Sequence, residues 1–112
     1  MAEIELQPGE AMIDAWTLYY LPPEGGKYNG KLTVTDRRLI YVASDDASLG
    51  GVLAHSRARG RIEIEKSDIS SIDVKRSLLS KKALLTLSDS SLHIFDRGAM
   101  SIDKIVAAIE TS

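Results

Sequence analysis

Along most of this chain, apolar side chains recur at every second position. Leu32-Thr33-Val34-Thr35, Ile62-Glu63-Ile64-Glu65, Ile72-Asp73-Val74-Lys75 and Leu92-His93-Ile94-Phe95 all carry the pattern. Successive side chains of a strand point to opposite faces, so each run predicts a half-buried strand. Leu39-Ile40-Tyr41-Val42 is apolar on both faces and rich in β-formers, which predicts a strand inside a sheet. Leu84 to Leu87 adds a further strand, and Ala11 to Leu21 reads as a long first one.

Turn chemistry separates these runs. Pro22-Pro23-Glu24-Gly25-Gly26 cannot continue a strand. Thr35-Asp36-Arg37-Arg38 and Ser88-Asp89-Ser90-Ser91 are short enough for hairpins, and Asp side chains bond readily to nearby turn backbone. Asp45 to Gly60 is the longest connection and contains Gly50-Gly51; it reads as a mobile loop with one helical turn at Val52 to Ser56. After Gly98 the period changes. Ile102, Ile105, Val106 and Ile109 form one stripe of a helix, with Ser101 as its expected N-cap and Asp103 favourable in the first turn. A lone amphipathic helix has to bury its stripe against the strands. The expectation is one mainly β domain over residues 1–112, core about 8–110, of about seven antiparallel strands and one C-terminal helix.

Composition closes off several alternatives. A chain of 112 residues suits one domain and buries enough surface for a real core. It has no Cys, hence no disulfide framework and no thiolate metal site. No apolar run approaches the roughly 18 residues of a membrane span. Met1-Ala2-Glu3-Ile4-Glu5 is acidic and alternating, unlike a signal peptide, so a cytoplasmic location is expected.

The net charge of -2 conceals an uneven spread. Residues 1–26 hold five acids and no base, whereas the remainder carries a net +3. Arg57, Arg59, Arg61, Lys66, Lys75, Arg76, Lys81 and Lys82 are the densest basic stretch, and no acid lies between Val74 and Ser88. Such a patch suits an acidic partner. Nucleic-acid binding normally needs a more basic domain and is not expected.

Three segments together resemble the GRAM family and the related bacterial PH-like domains of the pleckstrin-homology superfold. Pro8-Gly9-Glu10 before the first strand is similar to the family's "GE" start. Gly30-Lys31-Leu32-Thr33-Val34-Thr35-Asp36-Arg37-Arg38-Leu39-Ile40-Tyr41 resembles its central hairpin. Ile62-x-Ile64 followed by Asp68-Ile69-x-x-Ile72 resembles a third segment. The resemblance covers Pro8 to Ile109. It implies a PH-like split barrel of two nearly orthogonal antiparallel sheets, capped at one end by the C-terminal helix. Within the hairpin, Thr35 and Asp36 are expected to fix the turn and its register, and Arg38 to pair structurally with an acid or with carbonyls.

No catalytic constellation is visible, and no enzyme activity, cofactor or metal is expected. His55 and His93 lack a nearby third ligand. His93 is expected at the surface or an interface, and His55 in a loop. Asp45-Asp46 lacks calcium-loop spacing. Many PH-type modules bind phosphoinositides through basic residues around the first loop. Here that loop offers only Lys27, opposed by Glu24, and Thr33 stands where a second cation after Lys31 is usual.

The stronger candidate is Lys75-Arg76-Ser77-Leu78-Leu79-Ser80-Lys81-Lys82, read as a loop between strands. Leu78 and Leu79 flanked by four cations suit shallow insertion into an anionic bilayer. Two other readings compete with insertion, a fold back onto the core and a subunit contact. Arg57, Arg59 and Arg61 form a secondary basic patch. The expected function is thus a non-catalytic binding module peripherally attached to anionic lipid. The alternative is a protein-interaction or homo-oligomerisation module, with Leu39–Val42 and the charge split as its basis.

Overall fold

The structure, a computed structural model, describes residues 6–43 and 61–111. The predicted loop with its turn at Val52 to Ser56, together with Asp45, Asp46, His55, Arg57 and Arg59, lies outside those residues.

Among the described residues, seven strands form one antiparallel sheet: β1 (Met12–Leu21), β2 (Tyr28–Thr35), β3 (Arg38–Ala43), β4 (Arg61–Glu65), β5 (Ile69–Arg76), β6 (Lys81–Leu87) and β7 (Leu92–Asp96). A helix, α1 (Asp103–Glu110), ends the chain. The spatial order is β4-β3-β2-β1-β7-β6-β5. Strand β1 joins the two halves: it pairs with β2 from Met12 to Tyr20, and its last residues Tyr19 to Leu21 pair with β7. Strands β4 and β5 are the two edges, so the ladder is continuous but not closed into a barrel.

One face of both half-sheets shares a core. Leu32, Tyr41 and Ile64 come from one half, Leu85 and Phe95 from the other, and Leu18 and Tyr20 from β1 between them. Tyr20 holds the halves together, with ring centroids 5.2 Å from Tyr41 and 5.3 Å from Phe95. The helix stripe of Ile102, Ile105, Ala108 and Ile109 is buried in the same cluster. Each large aliphatic there contributes about 1.5–3 kcal/mol. The helix starts at Asp103 with Ile102 as its flanking residue in place of Ser101, although the Ser101 hydroxyl accepts the Asp103 N–H at 3.2 Å. At the other end the Lys66 ammonium donates to the carbonyls of Ala108 and Thr111, satisfying groups a helix C-terminus leaves open.

Two expectations change here. Strand β3 is internal, with Leu39, Ile40 and Tyr41 at most 2% exposed, so of Leu39–Val42 only the partly buried Val42 reaches a surface for assembly. In β7 the alternation faces the other way from its reading as Leu92 and Ile94 inward. Phe95 is buried and shares its face with His93, while Leu92 is exposed. The cause is the neighbouring ladder, which sets Phe95 opposite Tyr20 and Ala83 on the core face.

Candidate functional site

Residues 75–82 form a hairpin rather than a loose loop. Lys75 stands opposite Lys82 and Arg76 opposite Lys81, and the Ser77 N–H donates to the Ser80 carbonyl at 2.8 Å. Leu78 and Leu79 occupy the tip, 85% and 77% exposed. They do not fold back onto the core, because a two-residue tip beyond the Ser77–Ser80 bond projects away from the sheet.

The pleat sorts the four cations onto two faces. Arg76 and Lys81 lie on the face that carries the core. Arg76 is ion-paired with Asp103 at the start of α1, and Lys81 donates to the carbonyls of Ser77 (2.6 Å) and Leu78 (3.3 Å). Lys75 and Lys82 lie on the opposite face, and among the described residues no hydrogen bond or ion pair ties either of them. Like charges directly opposite on a ladder destabilise it. Two such pairs therefore stand in succession, with Asp96 opposite Lys82 on its β7 side as the nearest ladder acid. A shallow concavity lined by Lys75, Arg76, Ser77, Ser80 and Lys82 opens beside them.

Two further sequence candidates within the described residues have partners. Arg61 is ion-paired with Glu63 at 2.8 Å. Lys27 lies over the Tyr19 ring, 4.4 Å from its centroid.

Arg38 sits in a buried strap. Its Nε and Nη2 donate to the two oxygens of Glu10 at 2.8 and 3.0 Å, and Nη1 donates to Glu63 at 2.8 Å. Thr35 donates to Glu10 at 2.6 Å and accepts the N–H groups of Arg37 and Arg38, which closes the turn. Asp36 and Ala11 exchange bonds: Asp36 N–H to the Ala11 carbonyl, Ala11 N–H to the Asp36 carboxylate. Gly9, at φ +80°, turns the chain into this strap, and a Cβ there would stand 3.1 Å from the Arg37 guanidinium. The hydrogen bonds from Arg38 hold the Glu10 carboxyl down to about 2, against burial that raises it. The reciprocal bond to Glu10 holds the guanidinium above its ordinary value.

His93 is half-buried, not a surface residue. Its Nδ1 lies 2.7 Å from the Tyr20 hydroxyl and its Nε2 3.0 Å from Ser91 Oγ. Ser91 Oγ lies 2.6 Å from Asp89. A carboxylate only accepts, so the serine hydrogen points to Asp89 and its oxygen accepts from Nε2–H. That leaves Nδ1 to accept from Tyr20. Burial pushes the imidazole below its ordinary pKa, opposed by the charges of Asp89 and Glu24. The sequence signal for this chain was parity with Phe95, two positions along the same strand.

Among the described residues no helix is long and apolar enough to cross a membrane. No protein-family model matches the chain, and no curated protein matches it. Among solved structures it is similar to the C-terminal domain of an unknown protein from Leishmania infantum. The TM-score is 0.66 at 14% identity, over 89% of this chain and 82% of that one, a likeness of fold.

Proposed function

We infer that this chain is a non-catalytic PH/GRAM-like binding module whose β5–β6 hairpin docks on an anionic membrane surface. The observation that carries this reading is the tip itself. Leu78 and Leu79 are held away from the core by a bonded turn, directly ahead of four cations of which, among the described residues, only Arg76 is in a close ion pair. Lys75, Lys81 and Lys82 each contribute about 1 kcal/mol near an acidic leaflet. Partial burial of two leucines adds to that, at up to about 1.5–3 kcal/mol for each if fully buried. The total describes weak, reversible attachment, of use at the cytoplasmic leaflet where anionic lipids concentrate.

The PH/GRAM-like part of the reading is supported by the Glu10–Arg38 pair, which joins the "GE" start to the hairpin motif. The split-barrel part is supported by β1, which hands the ladder from one half to the other over a shared core. The non-catalytic part is supported by His93, both of whose ring nitrogens are occupied by partners within the fold.

The test is co-sedimentation with phosphatidylserine-containing vesicles at low salt, against neutral phosphatidylcholine vesicles. Binding is expected only to the acidic vesicles, falling as salt rises. Leu78→Asp/Leu79→Asp and Lys75→Glu/Lys82→Glu should each abolish it. Binding that survives both variants, or no binding at all, overturns the reading.

A further inference from the structure

Strand β5 is an edge, eight residues long and free of proline. Its outward backbone groups follow from the hairpin. Ser77 bonds to Ser80, and Lys81 exchanges bonds with the Arg97–Gly98 segment on its other side. Alternation then turns the N–H and C=O groups of Lys75 and Asp73 towards β6, and those of Ile72, Val74 and Arg76 towards the open edge. Open space adjoins this edge at both ends. One groove is lined by Ser70, Ser71 and Ile72 with Ile109 and Glu110 of α1, and the other is the concavity at Lys75 and Arg76.

Among the described residues nothing pairs with this edge; an open edge of this length is a template for another strand, and proteins usually protect it with charge. Asp73 and Lys75 supply that protection against most strands. Against an antiparallel copy of β5 the outcome depends on register. A two-fold centred on Asp73 sets carboxylate against carboxylate, and one centred on Lys75 sets ammonium against ammonium. Centring on Ile72 leaves Lys75 without an acid. Centring on Val74 places Asp73 opposite the partner's Lys75, and Lys75 opposite the partner's Asp73. It also sets the outward groups of Val74 against those of the partner's Val74, and Ile72 against the partner's Arg76, all as hydrogen-bonded pairs. We propose that β5 pairs with a second copy of this chain in that register, antiparallel about a two-fold axis through Val74.

The pairing extends the sheet across both subunits. It also gives the Lys75 ammonium an acid, relieving its confrontation with Lys82. It does not require the hairpin to touch lipid, so it stands or falls without the membrane reading. Where both operate they compete for Lys75.

The chain has no cysteine, which makes cross-linking clean. Residues of a hydrogen-bonded antiparallel pair have Cα atoms about 5.5 Å apart, within disulfide reach. Val74→Cys should therefore form a covalent dimer under mild oxidation in the absence of lipid. Ser71→Cys, whose two copies would lie about 20 Å apart by strand rise, should not. Light scattering over a concentration series should show a dimer for the unaltered chain. Asp73→Lys should raise its dissociation constant by about tenfold or more, and Asp73→Lys/Lys75→Asp should restore it. A chain that stays monomeric to millimolar concentration overturns the proposal. So do equal cross-linking at positions 71 and 74, and a dimer indifferent to Asp73→Lys. Vesicle binding by a monomer would leave the membrane reading intact while ending this one.

Discussion

Glu10 and Arg38 form a bidentate pair in which the carboxylate side chain is fully buried and the guanidinium is 5% exposed. Glu10 precedes the first strand, and Arg38 opens the third. Their contact therefore fastens the N-terminal approach of β1 to the β2–β3 turn. A buried charge left without its partner is costly, commonly by about 3–5 kcal/mol. Arg38→Met should lower unfolding stability by that order in urea titrations followed by the single Trp16. Glu10→Leu/Arg38→Met should lose less than Arg38→Met alone, since no carboxylate is stranded. The same pair sets an acid limit. The Glu10 carboxyl is depressed in the folded chain from 4.5 to about 2, so its stabilisation is complete above about pH 4.5. It should fade as pH falls towards 2, and Glu10→Gln should flatten that part of the profile.

Gly30 lies in mid-strand, where glycine ordinarily weakens a sheet. It is retained because the neighbouring strand is too close. A Cβ there would stand 2.3 Å from the Val42 carbonyl oxygen and 2.7 Å from the Ala43 Cα. Both atoms are backbone of β3, so no flexible side-chain end is there to yield. Gly30→Ala should destabilise by about 1–3 kcal/mol, the usual range for overpacking, and open the β2–β3 ladder locally. Amide exchange at Lys31 and Val42 reads that opening directly.

Local periodicity made most of this architecture legible. The Thr35–Arg38 turn, the internal strand at Leu39–Val42 and the helix stripe from Ile102 to Ile109 each depend on neighbours within a few residues. What stayed hidden depends on contacts distant in sequence. Nothing local marks Arg38 for Glu10 in particular, or Tyr20 for His93. Nor does the spacing of four cations say that Asp103 takes Arg76 while Lys75 and Lys82 remain unpaired. Leu92-His93-Ile94-Phe95 failed for a different reason. With three large apolar residues out of four, the run has no polar face to fix its orientation, and the facing ladder decides it.

Lys75 and Lys82 set stability against binding. Lys75→Glu turns a like-charge pair into an opposite one, which should stabilise the monomer by about 0.2–1 kcal/mol. It should also weaken attachment to acidic vesicles, because it removes a cation and adds an anion at the docking face. Denaturation at low protein concentration and vesicle co-sedimentation should therefore move in opposite directions. If both fall together, the lysine serves the fold rather than a ligand.

His93 should give the domain a second, milder pH dependence. The imidazole is neutral in the folded state, with its Nε2–H donated to Ser91 and its Nδ1 accepting from Tyr20. Asp89 fixes that arrangement through Ser91, while burial lowers the pKa below the ordinary 6.5. Asp89 and Glu24 favour the charged form but do not reverse the shift. A depressed folded pKa means that the unfolded chain binds the proton first. The stabilisation is therefore fully present above pH 6.5 and is lost as pH falls through the folded value. Protonation puts a hydrogen on Nδ1, against the hydroxyl hydrogen of Tyr20, the residue that joins the two half-sheets. The urea midpoint of the unaltered chain should decline as pH falls below 6.5, beginning above the window in which Glu10 acts. His93→Gln keeps a donor and an acceptor without a titratable ring and should remove most of that decline. An undiminished slope in His93→Gln would assign the dependence to another group.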